Sequence, residues 1–234
     1  MSQEQINLKR TARIAGLIYL FIAITGVFGI MYVPMQLIDS DNLPLTMRTI
    51  LGHEFLFRAG IMSNLVCQTL FVFLVLQLYK LFQEISRHLS RTMFALVIVG
   101  VPIAFLIIFN QLFALLLLKE NFMKDFPPAQ LQSLVMAFIK MYNYGNVVIG
   151  IFWGLWLIPF GQLVYRSRFI PKILGILLII GGSAYVLDAF TFVLFPAYHY
   201  SVTGIIVGLT SSVAEFAMVF WLLIKGVKKV VAQI

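Results

Sequence analysis

Arg58, Asp188 and Glu215 are ionisable side chains that stand inside otherwise apolar sequence. Within a bilayer each costs at least about 2.5 kcal/mol on insertion scales, so each demands a partner or a purpose. Glu54 precedes Arg58 by four residues, the favourable order for an ion pair along one helix face. Asn64 and Gln68 continue down nearly the same side. Asn110 and Gln111 belong to the third apolar stretch, and Asn143 and Asn146 to the start of the fourth. At about 1.5 Å per helical residue, Asp188 lies roughly 24 Å from the basic end of its stretch, a depth similar to that of Arg58. Glu215 falls near the middle of its own. The expected constellation is therefore a polar pocket in one half of a bundle, built from Arg58, Asn64, Gln68, Asn110, Asn146 and Asp188, with Glu215 deeper. Arg58 and Asp188 are expected to pair, and Glu215 to be hydrogen-bonded by Ser211 or a neighbouring amide.

Such a set can do three kinds of work. It can lock helices together or bind a small amphipathic or lipid-like ligand. It can move a proton or substrate as a small transporter. It can also act on lipid as a membrane-embedded enzyme through Glu215, Asp188 or Arg58. The first reading is favoured, because pumps show chains of acids and histidines and here one acid stands at mid-depth. No catalytic residue is assigned and no cofactor is expected. His53, Glu54 and His199 could hold zinc in principle, but no H-E-x-x-H helix or paired-histidine helix supports a metal site. There is no glycine-rich phosphate loop and no G-x-S-x-G elbow. The single cysteine, Cys67, excludes an internal disulfide.

The elements that must position these groups are long and apolar. Of 234 residues, 61% are hydrophobic and only 11% charged, with a mean hydropathy of +0.98. Soluble domains average about 25% charged residues. Six apolar stretches are read as transmembrane helices: Ala12 to Val33, Phe55 to Tyr79, Thr92 to Leu118, Val135 to Tyr165, Ile173 to Phe195 and Gly204 to Ile224. Each meets or exceeds the ~20 residues a helix needs to cross lipid. The segment from Pro34 to Glu54 reads as polar and turn-like. The expected fold is an all-α polytopic bundle, one domain over 1–234, in the cell (cytoplasmic) membrane.

Charge sets the orientation. The net charge of +8 reflects basic residues in short loops, so nucleic acid is not an expected partner. Lys9, Arg10 and Arg13, then Lys80, Arg87 and Arg91, then Arg166, Arg168 and Lys172, then Lys225, Lys228 and Lys229 all fall on one side if six spans alternate. Asp39, Asp41, Glu54, Glu120 and Asp125 fall on the other. Basic loops stay in the cytoplasm, which predicts both termini inside. The turn at Arg166 to Lys172 is either a phosphate-level anchor or a specific acidic-lipid site. Membrane lipids are the expected partners.

Small residues point to close helix packing. Gly150 and Gly154 are four apart, as are Gly204, Gly208 and Ser212; they serve contacts within the bundle or a homodimer seam. Pro102 and Pro159 are expected to kink or interrupt their helices. Tyr19, Tyr32, Tyr142, Tyr144, Trp153 and Trp156 read as belt or packing aromatics.

Several stretches occur in a telling order: Arg13-Ile14-Ala15-Gly16-Leu17-Ile18-Tyr19, Phe57-Arg58, Leu78-Tyr79, and Gly161 followed by Arg166-Ser167-Arg168-Phe169-Ile170-Pro171-Lys172-Ile173-Leu174-Gly175. Gly182, Tyr185, Pro196, Glu215 and Trp221-Leu222-Leu223-Ile224-Lys225-Gly226 follow. Together they resemble the domain of unknown function 4386 family of bacterial membrane proteins. The resemblance covers nearly the whole chain. It implies a multi-pass membrane fold and no catalytic residue.

Overall fold

The computed structural model describes residues 3–39, 42–119, 126–195 and 212–227. The expectations placed above on Asp41, Glu120, Asp125, Pro196, His199, Gly204, Gly208, Ser211, Lys228 and Lys229 lie outside them. Every regular element among the described residues is helical. The order is α1 Gln3–Gly26, a wide π-helical segment Val27–Tyr32, α2 Val33–Leu37, α3 Leu43–Gly52, α4 Glu54–Phe82, α5 Arg87–Lys119, α6 Pro128–Leu155, α7 Leu157–Ser167 and α8 Lys172–Leu194. A last helix, α9, is described over residues 212–220 and widens into a second π-helical segment, Trp221–Lys225.

Five continuous helical stretches among the described residues are long and apolar enough to cross a membrane: Ile6–Leu37, Glu54–Phe82, Arg87–Lys119, Pro128–Ser167 and Lys172–Leu194. The expected sixth begins outside the described residues.

Local chemistry sets the boundaries. Pro34 has no N–H to continue the first helix. The Val33 N–H turns instead to Phe28 O, five residues back, and the helix widens. The segment expected to be a turn holds a ten-residue helix, α3. Its cap explains it: Asn42 Oδ1 accepts from Leu45 N at 3.0 Å, and Pro44 sits in the first turn, where no N–H is needed. Ser86 Oγ accepts from Leu89 N at 3.4 Å as α5 begins. Pro159 cannot donate to Leu155 O, and α6 gives way to α7 at Trp156. Pro102, by contrast, lies inside a continuous α5. Pro171 immediately precedes α8, and its carbonyl accepts from Leu174 N at 3.1 Å.

The chain forms two compact units, Met1–Phe21 with Leu70–Val101 and Val147–Ile234, and Ile22–Thr69 with Pro102–Asn146. In the first, the end of α6 and the whole of α7 pack along α8 with backbone nearly touching backbone. A Cβ on Gly182 would fall 2.6 Å from Gly154 O, and one on Gly175 would fall 2.6 Å from Gly161 O. The two pairs are seven residues apart along the α6–α7 stretch and along α8, in opposite directions, so the crossing is antiparallel. Gly154 thus makes the close approach expected of small residues; a Cβ on Gly150 would meet nothing within 4 Å. A run of aromatic rings fills this unit: Phe71 to Trp156 at 5.1 Å, Trp156 to Phe160 at 5.3 Å, Phe160 to Phe82 at 5.8 Å and Phe82 to Phe169 at 5.6 Å. The core of the second unit draws on Val33, Ile50, Phe57, Ile108, Leu115 and Ile139, so α3 helps to cover it.

Candidate functional site

In the second unit the polar residues form two separate groups. Asn64, on α4, is 2% exposed. Its Nδ2 donates toward Tyr142 Oη at 2.8 Å, Gln111 Oε1 at 3.3 Å and Gly29 O at 3.3 Å. The Gly29 carbonyl is open to it because Val33 N–H has turned to Phe28 and Pro34 has none to give. One amide therefore ties the π-helical segment, α4, α5 and α6. Asn146, one turn beyond Tyr142, bonds the same hydroxyl. Gln68 is buried one turn along α4. Asn110 turns away: its Nδ2 donates to Ile107 O at 3.0 Å on its own helix. The neighbouring Gln111 takes the place expected of it.

The second group is charged and open. Arg58 Nε donates to Glu54 Oε1 at 2.6 Å, and Lys119 Nζ lies 2.7 Å from Glu54 Oε2. The expected i, i+4 pair is formed, with a second cation that the sequence reading did not include. Arg58 and Lys119 stand over a cavity of about 370 Å³ walled by Phe109, Leu112, Phe113 and Leu116. Two cations, one carboxylate and an apolar wall suit an amphipathic anion. Of the residues expected to form a pocket, Arg58 lines this one. Its expected partner, Asp188, belongs to the first unit.

In the first unit Tyr19, on α1, donates its hydroxyl to Glu215 Oε2 on α9. Tyr185, on α8, bonds the same carboxyl, and Ser212 reaches Tyr185. Asp188 lies close enough to Tyr185 to interact with it. Glu215 is thus held by phenolic hydroxyls from two helices, partners that the sequence alone did not point to. Tyr19 is almost fully buried, with its ring 6.1 Å from Trp156, itself 1% exposed. Both were read as belt or packing aromatics, and Tyr19 also carries the hydrogen bond. Gly16 permits this: a Cβ there would fall 2.7 Å from Leu223 N, so α1 lies directly against the π-helical end of α9.

Comparison with known proteins gives a family and adds no chemistry to this arrangement. A protein described as uncharacterized, from Archaeoglobus fulgidus, is 33% identical over 92 residues, which cover 39% of this chain and 50% of the archaeal protein. The chain thus matches half the length of that relative. No solved structure matches. The family model described as domain of unknown function 4386 matches residues 14–226, and the chain belongs to that family.

Proposed function

We propose that this is a six-span protein of the cytoplasmic membrane, with both termini inside, that binds an amphipathic anion without transforming it. The observation that carries the reading is the cavity below Arg58 and Lys119. A carboxylate or phosphate fits the cations, and a hydrocarbon tail fits the Phe109, Leu112, Phe113 and Leu116 wall. Charged heads gain most where water is scarce, and the tail gains by leaving water.

Two observations support the orientation. The first unit holds twelve of the 17 Lys and Arg residues, including every basic segment assigned to the cytoplasm. Lys9, near the start of α1, packs beside Gly226, where a Cβ would fall 3.4 Å from Lys9 Cγ. That neighbourhood is natural if the two ends of the chain share one side.

The test uses a fluorescent long-chain fatty acid and the corresponding alcohol, titrated into the protein in nanodiscs. The acid is expected to bind with clear preference, and the Arg58→Gln/Lys119→Gln variant to lose that preference. Equal binding of acid and alcohol by the wild-type protein would overturn the proposal. A second reading, proton-coupled transport, is favoured by the Tyr19, Glu215 and Tyr185 cluster. It requires substrate flux in proteoliposomes that Glu215→Gln abolishes.

A further inference from the structure

The exposed side of α1 combines three cations with a long apolar stripe. Lys9, Arg10 and Arg13 line a groove of about 460 Å³ together with Ile6, Ile14 and Leu17. Beyond it the same exposed face continues to Phe21, while Ala12, Ala15 and Tyr19 face the packed interior. The exposed positions 10, 13, 17 and 21 follow the three-and-four spacing of one helix face. From Arg10 to Phe21 the helix rises about 16 Å. That is close to half of the ~30 Å hydrocarbon thickness of a bilayer, or one leaflet.

We infer that this face is a binding site for an acidic glycerophospholipid. Its diester phosphate sits among Lys9, Arg10 and Arg13, and its acyl chains lie along Ile14, Leu17 and Phe21. The charge is complementary and the apolar stripe has the length of the chains. Lys9 is also placed by packing, because its stem lies against Gly226. The site involves none of the residues of the Arg58 cavity, so either can stand without the other.

Spin-labelled phosphatidylglycerol and spin-labelled phosphatidylcholine, each added to the reconstituted protein, test the site by electron paramagnetic resonance. The protein is expected to immobilise the phosphatidylglycerol label selectively. Selectivity should fall by roughly fivefold for each cation removed, following the ~1 kcal/mol that a basic residue contributes near an anionic surface. Arg10→Gln/Arg13→Gln tests this loss. Lys80→Gln/Arg91→Gln, in another basic segment, is expected to retain the selectivity. Labelling of a cysteine at Ser86 in both variants checks that orientation is kept. Equal immobilisation of the two lipids by the wild-type protein would overturn the inference. So would an equal loss in the Lys80 and Arg91 variant, which would mean a diffuse positive field. A dimer that depends on Arg10 and Arg13, in place of lipid selectivity, would assign the face to a second copy of the chain.

Discussion

Glu54 offers each carboxylate oxygen to a different cation, Arg58 at 2.6 Å and Lys119 at 2.7 Å. A ligand head group must compete with it. Glu54→Gln should therefore tighten binding of the fatty-acid probe several-fold, an effect of about 1 kcal/mol, while Arg58→Gln weakens it. Titration of the two variants decides the sign; weaker binding in Glu54→Gln would mean that the carboxylate orders the cations instead of blocking them. Asn64 calls for a different experiment. Asn64→Leu removes the donor to Tyr142, Gln111 and Gly29, and interhelical hydrogen bonds in membranes contribute about 0.6 kcal/mol on average, up to ~1.7. A loss near the upper figure is expected in a denaturant titration in detergent. The residue types at these sites were legible: Arg58, Glu54 and Asn64 announce themselves in apolar sequence. Their partners were less so. Asn110 and Gln111 share a depth, but adjacent helical residues point about 100° apart, and only packing shows which one faces inward. Tyr19 and Tyr142 are ambiguous for the same reason, since an aromatic with a hydroxyl suits the interface or the interior.

At the scale of helices, the glycines of α8 that pair with Gly154 and Gly161 make a sharp prediction. Gly175→Ala and Gly182→Ala place a methyl against backbone atoms that cannot swing aside. Each should destabilise the protein by about 1–3 kcal/mol, the usual cost of overpacking. Gly150→Ala, where a Cβ meets nothing within 4 Å, should be near neutral. Thermal unfolding of the three variants in one detergent gives the comparison, and equal losses would contradict the close crossing. The helical type of the long elements was readable from run length and composition. The short helix α3 was not, because its polar flanks resemble a turn until the Asn42 cap and Pro44 are taken together. The break at Trp156 was foreshadowed by Pro159, since the ring and missing N–H act on the residue four positions earlier.

For the whole molecule, charge is the most informative feature. The segments assigned to the cytoplasm all lie in the unit that contains both chain ends. Cysteine at Asn42 should react with impermeant maleimide from outside intact cells, and cysteine at Ser86 only after permeabilisation. The reverse pattern would invert the proposed orientation. Apolar run length makes the membrane class legible from sequence, and the five long helices among the described residues agree with it. The arrangement of polar groups was not legible, because lateral packing sets it and hydropathy carries no azimuth.

Pro34 and Asn64 lie thirty residues apart in sequence but do not mutate independently. The proline leaves a carbonyl vacant, and the asparagine fills it. A lineage that lost Pro34 first would let the helix reclaim Gly29 O and leave Asn64 with one acceptor fewer. A lineage that lost Asn64 first would keep the wide turn and leave the carbonyl uncovered. The two substitutions should therefore show epistasis. The order in which they arise would change the fitness of the intermediate, while the doubly substituted chain would suffer less than the two single changes combined.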